Sequence, residues 1–243
     1  MERVPAYVSI VFILTTFLTA GFLVYSIKRR DTETAASRIL FFVLPFWMIF
    51  SAVLSLGGFY QNTDTFPPRV FAFAVFPALA FIAAYFVFFR SSFIDRLSLK
   101  ALTLVHTIRL PVELVLLWLF QAGTVPQIMT FEGRNFDILS GLTAPLAYFL
   151  AFRSGRINRG VLIVWNLFAL LLLFNIVITA ALSLPSPMQR LGLDQPNVAV
   201  MFFPYIWLPA VVVPIVLFSH LASLWQLFRG NPADRLDIKT KAK

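Results

Sequence analysis

The sequence predicts an all-α, polytopic membrane protein: a bundle of seven transmembrane helices, N-terminus outside and C-terminus cytoplasmic. Three observations carry this expectation. Of the 243 residues, 59% are hydrophobic and only 13% charged, with a mean hydropathy of +0.83, whereas soluble domains run about 45–50% apolar and about 25% charged. The apolar residues gather into seven runs, at 5–27, 39–59, 70–89, 101–121, 138–152, 160–183 and 201–228. Most approach the roughly 20 residues a helix needs to cross about 30 Å of hydrocarbon. Finally, fifteen Lys/Arg fall in loops 28–38, 90–100 and 153–159 and the tail, against Arg3, Arg69, Arg134 and Arg190 in the opposite loops and Arg109 inside a span. By the positive-inside rule, the richer set is cytoplasmic.

Taken in order, the first run has Glu2 and Arg3 ahead of it and Lys28-Arg29-Arg30 behind. A cleaved signal peptide carries its positive charge in front of a shorter apolar stretch, so this run is expected to be a retained span. The second contains Pro45. Pro67-Pro68 in loop 60–69 mark a turn ahead of the third. Asn166 and Asn175 in the sixth span are nine apart, on opposite faces, and are expected to make interhelical hydrogen bonds. Three prolines make loop 184–200 irregular, and Pro209 and Pro214 predict a kink in the seventh span. Residues 1–229 thus form the membrane domain and 230–243 a basic cytoplasmic tail. Tyr7, Tyr25, Tyr60, Trp118, Tyr205, Trp207 and Trp225 fall near span ends, where interfacial anchors are expected.

The net charge of +9 has a topological explanation: the excess forms a collar beside anionic lipid, and no nucleic-acid partner is expected. The absence of cysteine excludes disulfides and thiolate metal sites.

The fourth span, LVHTIRLPVELVLLWLF, holds His106, Arg109 and Glu113 at i, i+3 and i+7. At about 100° per residue they share one face, within roughly 60°. A charge near the bilayer centre costs roughly 2.5–3.5 kcal/mol or more, so this face is expected to look into the bundle or a wet cavity and not at lipid. Arg109 and Glu113, four apart, are expected to pair, and Pro111 loosens the helix by removing a bond to Thr107. The helical rise places Glu113 roughly 12 Å below the outer surface.

The fifth span is short. GTVPQIMTFEGRNFDILSGLTAPLAYFLAF carries Glu132, Arg134 and Asp137 and then an apolar run of about fifteen residues, which reaches about 22 Å. The preceding segment must therefore dip inward, where irregular backbone survives only inside protein or beside water. Asp137 is expected to cap the helix. A polar cavity open to the outside is the expectation, with His106, Arg109, Glu113, Glu132, Arg134 and Asp137 as candidate ligand-binding residues. An ordinary outer loop with solvated charges is the bland alternative.

Neither a metal nor a cofactor is expected. His106 and His220 lie at similar depth on separate helices, an arrangement that can ligate haem, but single hydrogen-bonded polar residues are the simpler account. HExxH, GxSxG, Walker A and GxGxxG are absent. A microbial rhodopsin needs a lysine in its last helix, and none occurs between Lys100 and Lys239. Sugar transporters of the three-plus-one-plus-three type have a bland fourth helix, whereas here the fourth is the most polar.

MTFEGRNFDILSGLTAP (Met129 to Pro145), the surroundings of Trp165-Asn166 and the stretch Phe203 to Leu227 resemble segments of uncharacterised multi-pass proteins from bacteria. The resemblance implies a bacterial cytoplasmic (inner) membrane protein and no activity. Three functional classes stay open: binding or transport of a small molecule or ion, an enzyme acting on a lipid or isoprenoid with Glu113 or Glu132 as base, and a non-catalytic subunit with a membrane protein partner.

Overall fold

Apolar side chains cover the outside of this molecule, and polar ones are set into a mainly apolar inside. Phe42 and Val164 are 79% and 70% exposed, while Thr16, Thr19, Ser37, Ser51, Asn166 and Ser219 are buried. The apolar exterior suits hydrocarbon as the surrounding solvent, where van der Waals packing and interhelical hydrogen bonds hold helices together.

The computed structural model describes residues 3–28, 31–153 and 157–229. Arg29, Arg30, Arg156 and the tail 230–243 lie outside the described residues. Among the described residues the fold is all-α, without strands, in seven helices: α1 (Ala6–Ser26), α2 (Ala35–Leu56), α3 (Phe71–Phe88), α4 (Leu99–Gln121), α5 (Ile138–Phe152), α6 (Arg159–Ser183) and α7 (Leu208–Arg229). All but α5 are long and apolar enough to cross a membrane, and α5 has only 15 residues. The predicted boundaries shift most at α7, which begins at Leu208 instead of 201; residues 199–201 form a separate 3-10 turn.

Two helices make the centre. Of the apolar window in each long helix, 61% is buried in α4 and 67% in α7, against 22–33% elsewhere. The others pack around them: α1 and α5 against α4, and α1, α2, α3 and α6 against α7. One end of the bundle gathers Lys28, Arg38, Arg90, Arg96, Lys100, Arg153, Arg159 and Arg229. There Arg96 pairs with Asp31 at 2.9 Å, the Ser98 amide bonds Ser26 O, and Trp225 donates to Asp95 while Arg90 and Arg229 flank its ring.

Proline shapes α3 and α7 in the same way. Each opens with a π-helical turn, Phe71–Val75 and Leu208–Val212. Pro77 and Pro214 have no N–H to give the carbonyls four residues back, Phe73 and Ala210. The Tyr60 hydroxyl donates to Phe73 O at 3.4 Å, and the Trp47 indole donates to Ala210 O at 2.9 Å. Trp207 returns a bond to Met48 O at 2.9 Å, and Tyr205 shares one with Ser9. Tyr60, Tyr205 and Trp207 are therefore buried cross-links and not interfacial anchors, since satisfying a polar atom inside outweighs placing the ring at the rim. Tyr7 and Tyr25 are exposed, as the anchor role requires.

Candidate functional site

The site begins with a change of helical pitch in α4. Pro111 cannot bond Thr107 O, and immediately before it Val105–Ile108 tighten into a 3-10 turn. His106 lies in that turn; Arg109 and Glu113 lie in the α-helical stretch after it. As expected, all three face inward, at 0%, 2% and 1% exposure.

From Arg109 a line of hydrogen bonds crosses four helices. One guanidinium nitrogen donates to Asp137 Oδ1 at 2.9 Å and to the Ala169 carbonyl at 3.1 Å. The other lies 2.9 Å from His220 Nε2. Arginine only donates, so His220 Nε2 accepts. Nδ1 then carries the ring proton and donates to Asn166 Oδ1 at 2.8 Å. Asn166 completes the line by donating to Leu162 O at 2.8 Å. The two histidines do meet: His106 stacks on His220 with ring centroids 3.9 Å apart, and Trp165 packs edge-on. Both His220 nitrogens are engaged within the protein, so the stacked pair is not set up to ligate haem. Neither His106 nitrogen has a protein partner.

On the other side of Asp137, the irregular segment before α5 holds Glu113. Asn135 Nδ2 sits 2.7 Å from each Glu113 carboxylate oxygen and 3.0 Å from Met129 O. Asn135 Oδ1 accepts the Asp137 amide at 3.0 Å. Two glycines bring this segment in. A Cβ on Gly133 would stand 2.3 Å from Gln127 O, and one on Gly141 would stand 3.0 Å from the Leu110 amide nitrogen. Gly133 thus permits the tight fold of 127–135, and Gly141 lets α5 approach α4 beside Arg109.

Several sequence expectations change here. Arg109 pairs with Asp137 and not with Glu113, because α5 delivers a second carboxylate within reach. Asp137 precedes α5 as predicted, but its side chain makes no cap bond; Arg109 takes it. Glu132 and Arg134 are exposed and stand apart from the cluster. Only the Arg134 backbone is engaged, accepting from Asn175 Nδ2 at 2.8 Å. Asn135, Asn166 and His220 belong to the cluster and were not among the candidates. An alternation around Gly133, with Glu132 and Arg134 out and Asn135 and Asp137 in, was the available signal for Asn135.

The cluster is not at the bottom of a polar, outward-open cavity. It borders a largely apolar one of about 210 Å³ lying between α3 and α6, which both pack on α7. Arg109, Glu113, Asp137 and Asn197 are the polar residues in a lining that is otherwise aliphatic, aromatic or proline. Leu79 of α3 and Phe174 of α6 line it and are also exposed on the apolar outer surface. The cavity therefore opens sideways. The 122–137 segment folds over the cluster, with Val125, Met129, Thr130 and Asn135 all buried.

A family model described as a domain of unknown function (DUF8737) matches residues 67–228, more than half of the chain. That span includes every member of the cluster and both walls of the cavity. No curated protein and no solved structure matches the chain.

Proposed function

Since the chain belongs to the family described as a domain of unknown function, DUF8737, we propose its role from the site: an integral membrane protein that binds an amphiphilic small molecule or lipid drawn sideways from the bilayer. The apolar chain of that molecule occupies the space between α3 and α6, and its polar end meets Glu113 beside the Arg109–Asp137 pair. In this reading all seven helices lie in a bacterial cytoplasmic membrane, α5 as a short span. The basic end of the bundle faces the cytoplasm, and the N-terminus lies outside.

The single observation that carries the reading is the make-up of the cavity wall: aliphatic and aromatic side chains throughout, interrupted by one group of buried charges. A pocket that is mostly apolar with a few convergent polar groups is the usual form of a small-molecule site. Ionisable residues retained inside membrane segments mark functional positions by default. Transport would use the same entry, with the line Arg109–His220–Asn166 continuing toward the basic end.

The test is lipid retention. The protein is purified, placed in nanodiscs, and its bound lipids are identified by mass spectrometry. Added amphiphile should raise the melting temperature by about 5 °C at roughly 100-fold excess over Kd. Leu79→Trp fills the mouth from an exposed position and should abolish the shift without lowering the melting temperature of the empty protein. An undiminished shift in Leu79→Trp would sink the cavity reading.

A further inference from the structure

The carboxyl groups of the site outnumber its cations. Arg109 is the sole cation of the cluster; its terminal nitrogens bond Asp137, Ala169 O and His220, and its Nε has no partner. Glu113 is held only by Asn135, a neutral amide that reaches both carboxylate oxygens from one nitrogen. Among the described residues no Lys, Arg or His stands within ion-pair distance of Glu113. Two carboxyl groups thus face one guanidinium, and the unmatched one lines the cavity. A second acceptor lines it too. Asn197 is 1% exposed, its amide nitrogen reaches Ala180 O at 3.3 Å, and its Oδ1 is buried with no donor.

A buried carboxyl group is costly to ionise without a cation beside it, and a charge-assisted N⁺–H···O⁻ bond is about twice as strong as a neutral one. The complement to this wall is therefore a donor-rich cation carried on an apolar chain. We propose that the ligand of the cavity is a long-chain amine: its ammonium group donates to the Glu113 carboxylate, its chain lies between α3 and α6, and Asn197 Oδ1 accepts from any further donor on the head group. An acidic head group would set a third acid beside Glu113 and Asp137. An alcohol would satisfy one acceptor and bring no cation. This inference rests on the sideways-opening cavity being a binding site and adds the chemical class of what enters it.

The test uses three chain-matched probes, dodecylamine, dodecanol and dodecanoate, titrated onto the full-length protein in nanodiscs at constant pH and salt. Each is read against Leu79→Trp to remove partitioning into the lipid. The amine should bind roughly tenfold or more tightly than either other probe. Glu113→Gln should erase that preference, so that the amine binds no more tightly than dodecanol. The wild-type ranking decides the matter even if Glu113→Gln folds poorly. Equal binding of all three probes, lost in Leu79→Trp, would overturn the ammonium assignment and leave the cavity standing. Binding of none, or binding indifferent to Leu79→Trp, would overturn the cavity reading itself.

Discussion

Two cavities flank α7, and they differ in what their polar groups have left to offer. The one between α3 and α6 borders Arg109, Asp137 and Glu113. The other, about 130 Å³, is lined by residues of α1, α2, α3 and α7 and has Trp47 and Tyr85 as its hydrogen-bonding side chains. There the bonds are already closed within the protein. The Trp47 indole serves the Ala210 carbonyl freed by Pro214, and the Tyr85 hydroxyl serves Ala36 O at 2.7 Å. In one region side-chain donors complete the backbone and nothing remains for a ligand. In the other a charged cluster bonds within itself but leaves Glu113 without a cation and Arg109 Nε and both His106 nitrogens without a partner. The first obeys the requirement that polar groups in hydrocarbon find partners inside the protein; the second is chemically unfinished.

The largest effect should come from dismantling the Arg109–Asp137 pair. Removing one partner of a buried ion pair costs roughly 3–5 kcal/mol because the other charge is stranded. Arg109→Leu should therefore melt far below the wild type or fail to accumulate folded. Arg109→Leu combined with Asp137→Leu should recover part of the loss, since replacing both partners by apolar groups is often tolerated. The recovery stays incomplete, as Ala169 O and His220 Nε2 also lose their donor. A double variant no more stable than the single one would show that these last two contacts, and not the charge pair, govern the cluster.

The apolar region should respond less. Trp47→Phe strands the Ala210 carbonyl, a loss of about 1–3 kcal/mol for a buried acceptor without a donor. Tyr85→Phe removes a single bond to Ala36 O, worth about 1 kcal/mol. Both should leave amphiphile binding in the first cavity unchanged. Reduced binding in Trp47→Phe would mean that the two cavities communicate through α7 and that their separation is overstated.

Glu113→Gln sharpens the comparison from the other side. It removes the acid that has no cation while keeping an oxygen to accept from Asn135, so the expected stability change is within about 1 kcal/mol. Ligand selectivity should nevertheless be lost. Urea or thermal melts of the empty protein, set beside the amine titration, separate the two readouts. A strongly destabilised Glu113→Gln would make this carboxylate a structural member like Asp137.

How much of this was readable beforehand follows from the range of each interaction. The helices were legible because the hydropathy of a 20-residue run is a local property. The start of α7 was misplaced because Phe202–Trp207 is as apolar as a helix but is spent on turns, with Trp207 and Tyr205 aimed at α2 and α1. His106, Arg109, Glu113 and Asp137 stood out as ionisable residues in or beside apolar runs. Their pairing did not. The i, i+4 rule favoured Arg109–Glu113, while Asp137 arrives from 28 residues away and His220 from 111. Asn166 was assigned an interhelical bond correctly, yet its partner could be named only once α6 and α7 were seen side by side.

The smallest effects are expected at Glu132 and Arg134, which the sequence set beside Glu113 and the fold sets apart. Both side chains are exposed, and what holds their segment in place is backbone: the Arg134 carbonyl to Asn175, and the turns around Gly133 and Thr130. Glu132→Gln and Arg134→Gln should each change stability by less than about 0.5 kcal/mol and leave amine binding as it was. Asn135→Ala, adjacent to Arg134 but buried, should weaken amine binding, because the amide that fixes the Glu113 carboxylate against the cavity is gone. The contrast between neighbours is the finest test of where the site ends. If Arg134→Gln cost as much binding as Asn135→Ala, the outer loop would have to be counted as part of the site, and the ligand would be entering from the aqueous side.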